Sequence, residues 1–291
     1  MTETFRPRRS VLYMPGANER ALEKAAGLPA DALILDLEDA VAPDAKEAAR
    51  DRVCAAASEG RYGHREVAIR SNGLDTTWFA DDVAAIAQAG PDALLVPKVG
   101  SVEDVRTIEE ALERGGAPDH TRFWAMLETP SAVLRAADIC AASERLTVLV
   151  MGTNDLVKEL RAGRVPGRAP LVPALAWCVL AARDAGKAIV DGVYNDLDDA
   201  DGFAAECQQG RGLGFDGKTL IHPKQLEACN RIFAPSDDEV AAAREVIEAF
   251  EEAQREGRGV VTVRGRMIEN LHVEEARRTL VQAEAIAAVG G

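Results

Sequence analysis

The sequence predicts a parallel (β/α)8 barrel, an α/β fold of the TIM-barrel type, with a C-terminal helix–hairpin–helix extension. Short apolar runs rich in β-branched residues alternate eight times with Ala-, Glu- and Arg-rich segments of helical spacing. A chain of 291 residues with 47% hydrophobic residues can build such a barrel as one domain. A doubly wound sheet is the second choice. It would usually carry a glycine-rich phosphate loop after strand one, whereas GRGLG (210–214) precedes a strand.

The predicted strands are short apolar runs that end in turn-forming residues. In chain order they are 10–16, 32–39, 66–73, 93–100, 122–129, 146–155, 188–196 and 214–223. Several helices between them begin at residues that favour helix N-termini, namely Asn18, Asp44, Ser101 and Asp198. A polar helix, a hairpin (259–269) and a last helix from about Leu271 follow the eighth unit. We therefore divide the chain into a barrel, 1–234, and an extension, 235–291.

Charge and composition exclude several classes of protein. The formal net charge of -14 argues against nucleic-acid binding, because little would neutralise the phosphates. No apolar run approaches the ~20 residues that span a bilayer, and the N-terminus lacks the apolar core of a signal peptide. The cysteines are widely spaced, which indicates reduced thiols and not disulfides or a zinc cluster: Cys54, Cys140, Cys178, Cys207 and Cys229. We expect a cytoplasmic protein without a membrane partner.

Ionisable side chains collect at the carboxyl ends of the predicted strands, where barrels of this type place reactive groups. They are Asp36, Glu38, Asp39, Arg70, Asn72, Lys98, Glu128 and Asp155. Strands five and six are neighbours about 5 Å apart, so Glu128 and Asp155 can converge on one point. Such a pair suits Mg²⁺, which accepts one or two carboxylates together with water and substrate. The alternative for each carboxylate is a salt bridge to a barrel arginine.

Arg70 lies two strands from Glu128, a distance of about 10 Å by the same spacing. Its guanidinium suits the carbonyl or carboxylate oxygen of a metal-bound substrate, and the alternative is an ion pair with Glu38 or Asp39. Lys98 offers a Schiff-base amine, but an adjacent metal site would make an imine unnecessary.

The sequence lacks the motifs that other classes of hydrolytic enzyme use. The chain has no G-x-S-x-G, and its histidines show neither H-E-x-x-H nor paired spacing. We expect His64 and His120 to be solvated and His222 to be a hydrogen-bonded residue at the barrel rim. His272 lies near the C-terminus, three residues after Glu269.

Seven blocks in order resemble the citrate lyase β-subunit-like family of the HpcH/HpaI aldolase superfamily. They are RSVLYMPGANERALEKA, LDLEDAV, IRSNGLDT, LLVPKV, LETPSAV, MGTNDL and GFDGKTLIHPKQL, and the likeness covers essentially the whole chain. The resemblance implies an enzyme that acts on coenzyme A esters of 3-hydroxy acids with Mg²⁺, Mn²⁺ being a possible substitute. By position, Glu128 and Asp155 correspond to the metal ligands and Arg70 to the substrate-binding arginine.

The same resemblance implies a path for coenzyme A and an assembly. Tyr13, Arg20 and Lys24 near strand one, with Ile221 and Pro223 after strand eight, would line the path of the acyl-CoA substrate. Family members resemble homotrimers or homohexamers whose C-terminal tails reach over a neighbour's active site. We therefore expect the extension to cover a neighbouring active site.

The family's lyases carry an aspartate as the mobile acid/base group of the tail, where this chain reads RMIENLH with Glu269. ENLH, and much of MGTNDLVKEL and IVDGVYND, resemble the malyl-CoA thioesterase branch more closely. The resemblance implies Mg²⁺-dependent hydrolysis of (3S)-malyl-CoA-type thioesters to malate and coenzyme A. The first alternative is carbon–carbon cleavage to glyoxylate and acetyl-CoA. The second is a non-autonomous subunit of the citrate lyase β type.

Overall fold

The computed structural model describes residues 5–256 and 261–289. Eight parallel strands close into a barrel in chain order, with β1 paired to both β2 and β8, so the predicted barrel is confirmed. The barrel strands are β1 Ser10–Pro15, β2 Ala32–Asp36, β3 Glu66–Arg70, β4 Ala93–Val96, β5 Arg122–Leu127, β6 Leu146–Met151, β7 Ala188–Asp191 and β8 Gly217–Leu220. A separate antiparallel pair follows, formed by β9 Val261–Val263 and β10 Arg266–Ile268.

Helices follow the barrel strands as the sequence predicted. They are α1 Glu19–Ala25, α2 Lys46–Ser58, α3 Phe79–Ala89, α4 Val102–Arg114, α5 Pro130–Leu134, α6 Ala136–Ala141, α7 Thr153–Glu159, α8 Val172–Asp184, α9 Ala200–Leu213, α10 Leu226–Phe233, α11 Asp237–Arg255 and α12 Asn270–Val289. None of these helices, which include every α-helix in the described ranges, is long and apolar enough to cross a membrane.

Two of the four predicted N-caps are confirmed. The Asn18 and Ser101 side chains accept hydrogen bonds from backbone amides in the first turns of α1 and α4. Asp44 is a wrong prediction, because it lies inside a short 3-10 helix that leads directly into α2. Asp198 is also wrong, because the chain turns one residue later and Asp199 caps α9. Local sequence therefore indicated where helices begin to within about one residue.

The barrel interior is filled by alternate residues of the strands. Val11, Ile34, Leu95 and Trp124 are among these inward-facing side chains, and all four are fully buried. A continuous apolar floor of this kind excludes water from the barrel axis. Polar groups can therefore face inward only at the ends of the strands.

The chain divides into two compact units. One is the barrel, Arg8–Asn230, and the other combines, among the described residues, 5–7 with 231–256 and 261–289. The second unit has a small apolar core of its own, in which Val263, Ile268 and Val273 are buried beside partly buried residues such as Phe250. Residues 259–260 of the predicted hairpin lie outside the described residues. The position of this unit over a neighbouring active site stays a prediction.

All five cysteines are free thiols, and four of them are buried. This agrees with the prediction that the chain holds its cysteines reduced. Burial raises the pKa of the Cys178 thiol to about 12 and that of Cys140 to about 12, so both stay protonated and unreactive near neutral pH. They act as small apolar side chains of the fold.

Candidate active site

Strand alternation carries ionisable side chains to the inner face at the carboxyl end of the barrel. Ile34 and Ala68 point into the core, and two residues further along the same strands lie Asp36 and Arg70. Glu128 likewise lies two residues beyond a core residue of β5, Met126, and it is 3% exposed. Period-two alternation therefore sets a layer of charge directly above the apolar floor.

These side chains border a cavity of about 430 Å³. It brings together five residues that the sequence predicted for the site, namely Tyr13, Arg70, Glu128, Asp155 and Ile221. Asp36, Asp39, Asn154, Asn195 and Thr219 also contribute to its lining. Three other residues of the predicted coenzyme A path do not line this cavity: Arg20 and Lys24 are exposed on α1, and Pro223 is exposed at the start of a short 3-10 helix.

Arg70 is held by carboxylates from the β2 end. Its Nε and Nη2 donate to the two oxygens of Asp36, each at 2.7 Å, and its Nη1 lies 2.7 Å from Glu38 Oε2 and 3.7 Å from Asp39 Oδ2. The Tyr13 ring stacks on the guanidinium, with Cζ 4.9 Å from the ring centroid. The ion-pair alternative is therefore present in the structure. A guanidinium has five N–H donors, so these contacts leave N–H groups for a ligand.

Backbone geometry fixes the Glu128 carboxylate. Its Oε1 accepts a 2.8 Å hydrogen bond from the backbone N–H of Lys98, which adopts a left-handed φ of 55°. Its other side lies against Gly152, where an added Cβ would overlap Glu128 Cβ and Oε2. The Lys98 side chain is exposed and does not line the cavity, so the main chain of this residue, and not its amine, serves the site.

Asp155 is not at a strand end as the sequence predicted. Strand β6 stops at Met151 and α7 begins at Thr153, which makes Asp155 the third residue of that helix. The helix start turns its side chain back to the cavity, beside Gly152 and Asn154. The sequence pattern does not show where a strand ends and the first turn of the next helix begins when apolar and small residues continue across the boundary.

We refer to Asp36, Glu38, Asp39, Glu128, Asp155 and Arg70 as the inner cluster. Burial raises the pKa of Glu128 to about 8, and the negative charges of Glu38 and Asp155 add to the shift. Burial likewise raises the pKa of Glu38 to about 7, although Arg70 opposes the shift. In the described parts of the chain, neither Glu128 nor Asp155 has a lysine or arginine side chain within ion-pair distance. The inner cluster thus carries more negative charge than its arginine compensates.

This donor set fits a divalent cation. Two adjacent carboxylates that lack a protein cation, with room for water and a ligand, are what Mg²⁺ accepts. Across residues 5–256 and 261–289, no group of three or more His, Cys, Asp or Glu residues forms a complete metal cage. A two-carboxylate, partly hydrated site is therefore the arrangement that the geometry supports.

Several polar residues prove to have roles in the fold. Asn72 donates through its backbone and side-chain N–H groups to Asp82, and it does not line the cavity. His222 caps the 3-10 helix after β8 by accepting a hydrogen bond from the Lys224 amide, as expected of a hydrogen-bonded rim residue. His120 is exposed, as expected, and its Nε2 lies 3.1 Å from the carbonyl oxygen of Gly90.

Glu269 belongs to the C-terminal unit, where it directly precedes α12. It is exposed, and its backbone N–H donates to His272 Nδ1 at 2.9 Å. His272 thus holds the main chain at the start of this helix while leaving the Glu269 carboxylate available. The acid/base role of Glu269 stays a prediction.

Sequence reasoning missed a polar pair at the cavity wall. Asn154 and Asn195 exchange two side-chain hydrogen bonds of 3.2 and 2.7 Å, and Arg164 donates to Asn154 Oδ1 at 3.1 Å. The available signal was the dipeptide Asn-Asp, which occurs after both strand six and strand seven. Neighbouring strand ends should place such residues side by side.

Comparison with known proteins agrees with this fold. The family model described as HpcH/HpaI aldolase/citrate lyase matches residues 9–223. A (3S)-malyl-CoA thioesterase of Cereibacter sphaeroides is 53% identical over 290 residues, covering 100% of this chain and 99% of the relative. The citrate lyase subunit beta of Escherichia coli is 39% identical over 284 residues, covering 96% of this chain and 94% of the relative.

Two solved structures extend the comparison. The protein CitE from Mycobacterium tuberculosis, in complex with magnesium, acetoacetate and coenzyme A, is 28% identical with a TM-score of 0.77, covering 96% of this chain and 98% of that one. A citrate lyase from Burkholderia xenovorans has a TM-score of 0.85 at 22% identity, covering 98% and 94% of the two chains, and supports the fold. On these matches, the chain belongs to the HpcH/HpaI aldolase/citrate lyase family.

Proposed function

We propose that this chain hydrolyses (3S)-malyl-CoA-type 3-hydroxyacyl-CoA thioesters to the free hydroxy acid, malate, and coenzyme A. The observation that carries the proposal is the cavity in which Arg70, Glu128 and Asp155 meet. It occurs in a chain that is 53% identical over its full length to a (3S)-malyl-CoA thioesterase.

Glu128 and Asp155 would hold Mg²⁺, and Mn²⁺, which favours similar oxygen ligands, could replace it. The uncompensated charge of the inner cluster supports this assignment. When bound, the ion would supply a Lewis acid that orients the hydroxyl and free carboxylate of the substrate. The similarity to CitE from Mycobacterium tuberculosis, whose solved complex contains magnesium and coenzyme A, supports the same assignment.

Arg70 would donate to the thioester carbonyl oxygen and stabilise the negative charge that develops there when water adds to the carbonyl carbon. Its fixed orientation between Asp36 and the Tyr13 ring supports this role, because a preorganised donor needs no rearrangement during the reaction. Collapse of the adduct breaks the C–S bond, and the coenzyme A thiolate then takes up a proton.

Glu269 would remove a proton from the attacking water as a general base. Glutamate is one methylene longer than aspartate, which moves the carboxylate by about 1.5 Å. A displacement of about 1 Å can change a rate ~100-fold. The longer side chain therefore offers a reason for this chain to favour attack by water over removal of the hydroxyl proton, which would start carbon–carbon cleavage.

The coenzyme A portion would leave the cavity between β1 and β8, along Tyr13 and Ile221, which line it. Arg20, Lys24 and Pro223 would follow further out. We also propose a homotrimer or homohexamer in which the C-terminal unit covers a neighbouring site. Light scattering during gel filtration measures the mass of the assembly, and a monomer would contradict this part.

A second candidate function is carbon–carbon cleavage to glyoxylate and acetyl-CoA, or the equivalent step within a larger citrate lyase complex. The 39% identity to a citrate lyase subunit beta over nearly the full length favours keeping it. The same metal and arginine would serve either reaction, since both develop negative charge on the thioester oxygen.

Product analysis separates these candidates. Purified full-length protein is incubated with Mg²⁺ and malyl-CoA, and free thiol, glyoxylate and acetyl-CoA are measured. We expect thiol release without glyoxylate, and we expect Glu269→Asp to produce glyoxylate. Stoichiometric glyoxylate and acetyl-CoA from the unmodified protein would contradict hydrolysis, and inactivity of the isolated chain would favour the subunit role.

A further inference from the structure

A second cavity of about 570 Å³ adjoins the active-site cavity. The two share Thr153, Asn154, Val193 and Asn195 as lining residues, so they communicate between the ends of β6 and β7. This side of the barrel is opposite β2, which lies four strands from β6, whereas β7 pairs directly with β8, beside the strand ends through which we propose that coenzyme A leaves. The second cavity therefore offers a ligand group a place on the side of the barrel away from Asp36.

Arg164 lines this second cavity and carries a charge that no carboxylate balances. Its side chain donates a 3.1 Å hydrogen bond to the neutral Asn154 amide oxygen, and no ion pair to it occurs in the described residues. Arg168, in the same lining, is neutralised by Asp191 at 2.8 Å and Glu206 at 3.3 Å. A charged guanidinium held by neutral groups at a cavity wall remains available to an anion.

The amide pair fixes where this guanidinium lies. Asn154 and Asn195 exchange two hydrogen bonds, and the oxygen of Asn154 then accepts from Arg164. Asn154 directly precedes Asp155, and both residues share an open mouth with Arg164 and Lys158. Arg164 is thereby hydrogen-bonded to Asn154, the residue that precedes the proposed metal ligand Asp155.

The charge balance of the inner cluster indicates which chemical group the further cation, Arg164, would bind. The inner cluster holds five carboxylates around one arginine, so it repels a substrate that brings another carboxylate. A single divalent ion leaves that excess only partly compensated. An acyl group with a free carboxylate would therefore gain from a further cation on the side away from Asp36 and Glu38.

We propose that Arg164 binds the free carboxylate of the acyl group and so selects thioesters of hydroxydicarboxylic acids. The proposal rests on the proposed function for its substrate. A carboxylate has about four lone-pair sites, so one group can bind a metal ion and this arginine together. The amide pair positions Arg164, and the second cavity accepts substituents beyond the carboxylate.

Calorimetry with the Mg²⁺-loaded, full-length protein tests the assignment, with L-malate and coenzyme A as separate probes. In Arg164→Gln we expect malate binding to weaken about tenfold or more, the size of a charge-assisted hydrogen bond, and coenzyme A binding to stay within about twofold. Arg161→Gln is the matched control, because this arginine is in the same loop, is exposed and does not line either cavity. We expect it to bind both probes as the unmodified protein does.

Kinetics add a measurement that a merely structural role would not change. The ratio of kcat/KM for malyl-CoA to that for 3-hydroxybutyryl-CoA, which lacks the free carboxylate, should fall about tenfold in Arg164→Gln. Unchanged malate affinity in Arg164→Gln, an equal loss for coenzyme A, or no malate binding by the unmodified protein would each overturn the inference. Malate binding that depends on Arg164 without hydrolysis would refute only the proposed function, whereas hydrolysis that is indifferent to Arg164 would refute only this inference.

Discussion

Two groups of charged side chains occur in the same barrel, and they are built differently. The inner cluster sets five carboxylates around one arginine on the inner face. A second group, which we name the outer cluster, lies between the barrel and α9 and pairs Lys218 and Arg168 with Asp191 and Glu206. Two cations and two anions there satisfy one another, with Lys218 and Asp191 fully buried.

The pKa shifts follow this difference in charge balance. Burial raises the pKa of Asp191, but the charges of Lys218 and Arg168 outweigh that effect and hold it below its ordinary value. Burial raises the pKa of Glu128 to about 8, and nearby carboxylates add to the shift. A balanced cluster stabilises the fold, whereas an unbalanced one is maintained for a ligand that completes it.

The largest expected effect comes from removing a charge of the inner cluster. We expect Glu128→Gln to lower kcat/KM by about 1,000-fold or more, since a metal ion contributes several kcal/mol to such a reaction. The free energy of unfolding should not fall, because the substitution removes a poorly compensated charge. Steady-state kinetics and urea unfolding measure the two quantities, and the exposed Glu103→Gln is the control. A destabilised, active variant would reverse our interpretation of the inner cluster.

The outer cluster should respond in the opposite way. In Lys218→Met we expect a loss of about 3–5 kcal/mol in the free energy of unfolding, because Asp191 and Glu206 lose their buried partner. The matched Lys224→Met, at an exposed position, should change it by less than about 0.5 kcal/mol. Equal stability of the two variants in urea unfolding would show that the outer cluster does not hold the barrel together.

A smaller effect tests how the backbone shapes the inner cluster. A Cβ at Gly152 would overlap the Glu128 carboxylate, so we expect Gly152→Ala to weaken Mg²⁺ binding about tenfold by displacing one ligand. Gly212→Ala is the control, because a Cβ there meets nothing and its helical backbone suits alanine. Calorimetric titration with Mg²⁺ compares them, and equal affinities would mean that Glu128 adjusts without cost.

The eightfold alternation of strand and helix patterns in the sequence was sufficient to predict the barrel, and the alternation within the strands was sufficient to predict part of the site. Arg70 and Glu128 could be assigned because inward and outward positions alternate along a strand, and a strand end fixes the layer. The ion pair of Arg70 with Asp36 was not foreseen, although Asp36 was among the predicted strand-end residues.

What the sequence could not predict depends on loop conformation. The Lys98 amide reaches Glu128 through a left-handed backbone, which no local pattern around a lysine indicates. Asp155 enters the active-site cavity from the first turn of a helix, and Arg164 lines the adjoining second cavity from the loop that follows. These placements are set by tertiary packing, so they needed the structure.

Calorimetric titration of Mg²⁺ into the metal-free, full-length protein tests the central claim most directly. We expect one ion to bind per chain, and we expect this binding to disappear in both Glu128→Gln and Asp155→Asn. Magnesium binding of unchanged affinity in either variant would contradict the claim that these two carboxylates hold the ion.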